Sequence, residues 1–174
     1  MPGGVSTLAL VSANPDLGFL GESNVMKIID WLHTVLRGEE DETGPDGGSS
    51  LYGLSVAEAL QAHRNWIRRF EGALSQGGED LNPEEIAHDD RCILGRWILS
   101  QKTSRSALAR LPLFEELRTT HTAFHKTASL LAESVCRKEA QESRLLFEVL
   151  RQKSRAIRIA LARLILEAQD RVAS

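Results

Sequence analysis

Apolar residues recur at three- and four-residue intervals along most of this chain, the spacing of amphipathic helices, and no stretch alternates apolar and polar residues as a strand would. The first twenty or so residues are an exception, because Pro2, Gly3, Gly4, Pro15, Gly18 and Gly21 interrupt any long element. From Asn24, a natural N-cap, the positions Val25, Ile28, Ile29, Leu32, Val35 and Leu36 predict a short amphipathic helix that stops at Gly38. A helix this short is marginal alone in water, so its apolar face requires the body of the protein or a second copy of itself. Gly38 to Ser50 follows as an acidic, Gly-rich linker that would span on the order of 20 Å as a flexible coil.

The body opens at Ser55, where a serine followed three residues later by Glu58 predicts a capping box. Leu60, Ile67, Phe70 and Leu74 form the stripe of that first body helix, and His63 falls inside the stripe, so it is expected to face the core. Gly77 and Gly78 end the helix. Asn82, Pro83, Glu84 and Glu85 then supply a cap, a first-turn proline and two acids at the positive end of a second helix, expected from Pro83 to Lys102 with Cys92 and Gly95 inside it. Pro112 opens a third helix whose seam is Phe114, Leu117, His121, Phe124, Ala128, Leu131 and Val135, which puts His121 inward and His125 one turn later beside it. No glycine or proline follows Pro112, but one uncapped helix from there to Ser174 would be too long for a domain of this size, so a turn is expected near Ser134 to Glu139. The fourth helix then turns Leu146, Leu150, Ile157, Leu161, Leu164, Ala168 and Val172 inward, with Ser154 near the middle of that face. The expected fold is all-α: an antiparallel four-helix bundle over residues 51 to 174, carrying a short N-terminal helix on a flexible arm over residues 1 to 50.

Charge and composition narrow the function. Residues 1 to 50 hold two basic residues, Lys27 and Arg37, against eight acidic ones, and the rest holds 19 against 16, which is far from the basic excess of a nucleic-acid binder. Two cysteines, Cys92 and Cys136, make no disulfide framework, so a reducing cytoplasm is the expected compartment. The N-terminus shows no basic region followed by an apolar run, and Arg158 and Arg163 interrupt the most apolar later stretch, so neither export nor membrane insertion is expected.

The chemistry lies in His63, Cys92, His121 and His125. A single histidine on an apolar stripe is more often a hydrogen-bonded core residue than a ligand, yet here three fall on inward fases of two helices with a cysteine between them. His121 and His125, at i and i+4, can reach one ion from a single helix. Three imidazoles and a thiolate fill a tetrahedral zinc shell and leave no open position. Two rivals stand beside this metal reading: a zinc hydrolase, which would keep a water in an open position, and a structural or adaptor bundle whose histidines are core polar groups. His88 suits a solvated or outer role, Asp89 and Asp90 either hydrogen-bond ligand imidazoles or are surface acids, Cys136 is a small turn or core residue, and His33 faces solvent. Arg144, Arg151, Arg155 and Arg158 line one side of the fourth helix, where a solvated charged face is a commoner explanation than an acidic partner. Gly95, in mid-helix, would cost about 1 kcal/mol relative to alanine, which a close approach by another helix or by Trp97 would justify.

The pattern His63-x-x-Trp66, Cys92-x-Leu94-Gly95-x-Trp97 and His121-x-x-x-His125 resembles the chemoreceptor zinc-binding, or CZB, domain, from Leu51 to the end of the chain. The resemblance implies that His63, Cys92, His121 and His125 are the Zn2+ ligands, that Trp66 and Trp97 are the family's aromatic positions, and that the protein is a non-catalytic sensory module and a homodimer. It implies further that Cys92 responds to hypochlorous acid or zinc in bacterial signalling, either chemotaxis or cyclic-di-GMP control. Family members are usually fused to a methyl-accepting chemoreceptor region or a diguanylate cyclase. This sequence shows neither a glycine-rich nucleotide loop nor a long receptor coiled coil, so output is expected through a separate partner of those types or through the arm.

Overall fold

A computed structural model describes residues 26, 27, 29–31, 33, 34, 50–76 and 81–173. The described chain is predominantly helical, as the periodicity predicts, with one small departure at the start of the body. There, β1 (Ser50–Leu51) and β2 (Leu54–Ser55) pair as an antiparallel ribbon with Leu51 opposite Leu54. The turn between them places Tyr52 at φ 46° and Gly53 at φ 82°, the double positive φ of a type I′ hairpin. Each strand is two residues long, too short to leave an alternating pattern in the sequence. Burial of Leu51 and Leu54 holds the ribbon, and the Tyr52 carbonyl accepts hydrogen bonds from Trp97 Nε1 at 3.1 Å and Gln101 Nε2 at 3.3 Å.

Helix α1 (Val56–Gln76) follows directly. Ser55 Oγ accepts from the Glu58 amide at 3.4 Å, the serine half of the expected capping box. The helix buries Leu60, His63 and Phe70 on one face, and the Gly77-Gly78 stop lies outside the described residues.

The expected helix from Pro83 to Lys102 is in fact two. Helix α2 (Pro83–Ala87) begins as predicted, with Asn82 Oδ1 accepting from the amides of Glu84 at 3.1 Å and Glu85 at 3.3 Å. It ends after five residues, and α3 (Ile93–Thr103) starts afresh beyond the loop His88 to Cys92. Two adjacent aspartates, which favour turns over helix interiors, lie in that break. Cys92 is therefore not a mid-helix residue but the N-cap of α3, with extended backbone and its Sγ accepting from the Gly95 amide at 3.2 Å.

A 3-10 turn (Leu108–Arg110) leads to α4 (Pro112–Cys136), which has proline in its first turn as expected. Its seam of Phe114, Leu117, His121, Phe124, Ala128 and Leu131 is buried, and Val135 is half-buried. The next turn falls at the late end of the predicted window, since Ser134 is still helical and the break comes at Arg137 to Glu139, where Lys138 takes φ 60°. Ser134 Oγ, 2.7 Å from Ser143 Oγ, ties the two sides of the turn together. Helix α5 (Ala140–Ala173) buries Leu150, Ser154, Ile157, Leu161, Leu164 and Ala168, and Leu146 is half-buried; the side chain of Val172 lies outside the described residues. Helices α4 and α5 pack along each other most extensively, α2 lies against α4, and α1 packs chiefly on α5.

Of the expected arm helix, residues 26, 27, 29–31, 33 and 34 are helical, and the remainder, with the linker up to residue 49, lies outside the described residues. Trp31, which the predicted apolar face omits, is buried among the core residues, whereas His33 is exposed. Among the described residues no helix is long and apolar enough to cross a membrane.

Because α2 has only five residues, its cap is a large share of its local stability. Asn82→Ala is expected to lower stability by about 1 kcal/mol, read as a shift in the urea midpoint with unchanged slope.

Candidate metal centre

Three chain segments deliver the four candidate ligands. His63 comes from the inward face of α1, Cys92 from the start of α3, and His121 and His125 from successive turns of α4. All three rings are buried, with relative exposures of 4%, 2% and 4% for His63, His121 and His125. Cys92, His121 and His125 form one group, each with a ligand atom within 4.8 Å of the others. Cys92 Sγ stands 3.1 Å from His121 Nε2. Zinc–nitrogen and zinc–sulfur bonds of about 2.0 to 2.3 Å make tetrahedral edges of about 3.3 to 3.8 Å, so these three donors stand within about an ångström of coordination spacing. His63 stands outside that group but against it, its ring centroid 5.5 Å from that of His121.

The hydrogen bonds of the rings point the same way. His63 directs Nδ1 to the Ala59 carbonyl at 2.9 Å, and His125 directs Nδ1 to the Ile86 carbonyl at 2.8 Å. A neutral imidazole that donates from Nδ1 carries its lone pair on Nε2. In both residues Nε2 is buried and has no hydrogen-bond partner. Leaving a buried polar atom unpaired costs roughly 1 to 3 kcal/mol, which a coordinate bond removes. The donor set thus fits a metal ion, and its nitrogen-sulfur character fits zinc. The Ala59 and Ile86 carbonyls that orient the rings left no mark in the sequence, since any residue supplies a carbonyl.

Electrostatics set the protonation states. Desolvation by burial pushes His63 down to about 4, against a raising effect of the Ala59 carbonyl and a further lowering by His125. His121 is pushed down to about 2 by burial and then by its two histidine neighbours. Burial also lowers His125, partly offset by the Ile86 carbonyl and the nearby Asp89 and Asp90. All three imidazoles are therefore neutral at neutral pH, the form that can offer a lone pair to a metal. The Cys92 thiol is raised by burial, opposed by the Gly95 and Leu94 amides at the start of α3 and by Arg96. Without metal the sulfur keeps its proton at neutral pH, and an ion held there would require the thiolate.

Gly95 is required by a contact that the sequence could not identify. A Cβ there would lie 1.7 Å from the Asp89 carbonyl oxygen, so the approaching group is the backbone of the preceding loop rather than a helix or Trp97. Of the outer candidates, His88 is exposed, with Nδ1 3.8 Å from Asp90 Oδ1. The Asp89 carboxylate hydrogen-bonds no imidazole; its Oδ2 accepts from Thr122 Oγ1 at 2.5 Å. Cys136 is exposed at the end of α4, not a core residue. Trp97 is buried and Trp66 half-buried, the latter stacked on Phe70 at 5.9 Å.

Two outcomes follow. Gly95→Ala must displace the Asp89 backbone and is expected to lose about 2 kcal/mol or more of stability, together with zinc retention, measured by denaturation and metal analysis. For chelator-treated protein the histidines titrate near 6.5 when unfolded and far lower when folded, so stability is full above pH 6.5 and falls as pH drops from there towards 4. His63 alone contributes on the order of 3 kcal/mol to that fall, and His63→Leu is expected to flatten the slope of unfolding free energy against pH.

No curated protein and no solved structure matches the chain. The family match is narrower than the resemblance read from Leu51 onward, running from His63 to Ala132 and so taking in all four candidate ligands but not α5. Residues 63–132 match the family model of the chemoreceptor zinc-binding domain, CZB, and zinc is the metal that this match and the Cys/His cluster both support.

Proposed function

We propose that this protein is a non-catalytic zinc-binding sensory module in which His63, Cys92, His121 and His125 hold one ion and Cys92 is the responsive ligand. The observation that carries the reading is the pair of buried, unpartnered Nε2 atoms of His63 and His125 beside the Cys92–His121 contact. Bound zinc would supply a cross-link among three segments and hold the sulfur as a thiolate. Four protein donors leave no place for a reactive water, which favours a sensor over a hydrolase. The residues around the ion have limited tasks: the Ala59 and Ile86 carbonyls fix two rings, and the Gly95 amide fixes the sulfur.

A thiolate in this position is also the oxidisable ligand. With hypochlorous acid, two electrons pass from sulfur to chlorine, the sulfur takes the hydroxyl group and chloride leaves, which gives a sulfenic acid that donates weakly to a metal. We infer from the short connections an antiparallel bundle that works as a homodimer in a bacterial cytoplasm and passes its state to a chemoreceptor or diguanylate cyclase partner. The match to a chemoreceptor domain family supports that setting.

Metal content tests the first claim. Protein purified without chelator is expected to hold about one zinc per chain, and Cys92→Ala or His125→Ala to hold little; a metal-free wild type would sink the reading. X-ray absorption should show one sulfur among three nitrogens, whereas a shell of three nitrogens and a water oxygen would favour the hydrolase. Dilute hypochlorous acid should release the ion from wild type and spare Cys92→Asp, and equal release from both would remove Cys92 as the switch.

A further inference from the structure

We propose that Asp89 and Thr122 are positioning residues for the metal centre, joined in one hydrogen bond that sets how far the sulfur stands from the imidazoles. This inference rests on the reading of the centre as a zinc site. The segment from Leu81 to Cys92 runs beside α4 and is fastened to it at successive points. Pro83 carbonyl accepts from Ser129 Oγ at 2.9 Å, Ile86 carbonyl meets His125 Nδ1 at 2.8 Å, and Asp89 Oδ2 accepts from Thr122 Oγ1 at 2.5 Å. Beyond the last fastening comes Cys92, with its Sγ 3.1 Å from His121 Nε2.

The Asp89–Thr122 bond differs from the others by where it sits. Thr122 follows His121 directly, and Asp89 lies three residues before Cys92, so the bond spans the same gap that the ion would span, one step away. It is also the only fastening in that set within the loop His88 to Cys92, where the backbone has left the helix and no helical ladder fixes it. The same residue contributes twice, because its carbonyl occupies the space above Gly95 and the Gly95 amide in turn binds the sulfur. Shifting Asp89 therefore moves both the loop and the cap that aims Cys92. A cleft of about 160 Å³ bordered by Asp89, Gly95, Lys102, Arg118, His121 and Thr122 opens beside this bond, so solvent can reach it.

A hydrogen bond that positions can be separated from a charge that attracts a cation. Asparagine at position 89 still accepts from the threonine hydroxyl but carries no charge. The experiment compares full-length Thr122→Val, Thr122→Ser, Asp89→Ala and Asp89→Asn with wild type. Zinc affinity is measured by competition with a chromogenic chelator, the thiolate-to-cobalt absorption band is measured after Co2+ substitution, and amide exchange of residues 92–95 is measured in chelator-treated protein. Thr122→Val and Asp89→Ala are expected to bind zinc about tenfold more weakly, with a weaker cobalt–thiolate band and faster amide exchange, while Thr122→Ser and Asp89→Asn stay within about threefold of wild type. The Asp89 pair carries the comparison by itself if Thr122→Val disturbs α4. Affinity of both Thr122→Val and Asp89→Ala within about twofold of wild type overturns the proposal, as does an Asp89→Asn loss equal to that of Asp89→Ala, which would make the effect one of charge. A wild type without zinc would instead overturn the reading of the centre itself.

Discussion

Two imidazole nitrogens buried without a partner are the constraint around which this fold is built. An interior that encloses the Nε2 atoms of His63 and His125 forgoes hydrogen bonds that water would supply, at roughly 1 to 3 kcal/mol each. The surrounding structure keeps them there. Each ring is anchored through its other nitrogen to a backbone carbonyl, and Phe124 packs edge-on against both, with centroids 5.1 Å from His63 and 5.6 Å from His125. Burial then holds the imidazoles neutral, the form in which an unshared pair is available to a metal. The apparent defect in the core thus supplies two of the donors proposed for the centre.

The sulfur is governed by a balance rather than by one effect. Burial favours the thiol, while the amides at the head of α3 favour the thiolate. A cysteine in the middle of an unbroken helix would have lacked those amides, because they would already have been bonded to the preceding turn. Breaking the helix at His88 to Cys92 frees them, aims Sγ at His121 and requires a glycine at position 95 to admit the loop. Burial outweighs the amides, so the free sulfur keeps its proton and is a poor nucleophile, and the oxidation chemistry proposed for Cys92 is that of a thiolate held by zinc.

Much of this was legible in the residues. Periodicity determined the helical class, the inward faces of His63, His121 and His125, the Asn82 and Pro112 helix starts and the approximate turn before α5, because each of these depends on neighbours within a turn or two. Zinc as the metal was legible from residue types, since a thiol and imidazoles of the kind that Cys92, His121 and His125 bring together suit that ion. Only the tertiary structure decided the break between α2 and α3, the Tyr52-Gly53 ribbon beneath Trp97, the burial of Trp31, the role of Gly95 and the Asp89–Thr122 bond. The reason is that these turn on backbone groups and on partners 33 to 49 positions away, as with Thr122 and Asp89 or Gln101 and Tyr52. A carbonyl or an amide has no signature in the sequence, and its importance appears only when folding brings a distant side chain against it.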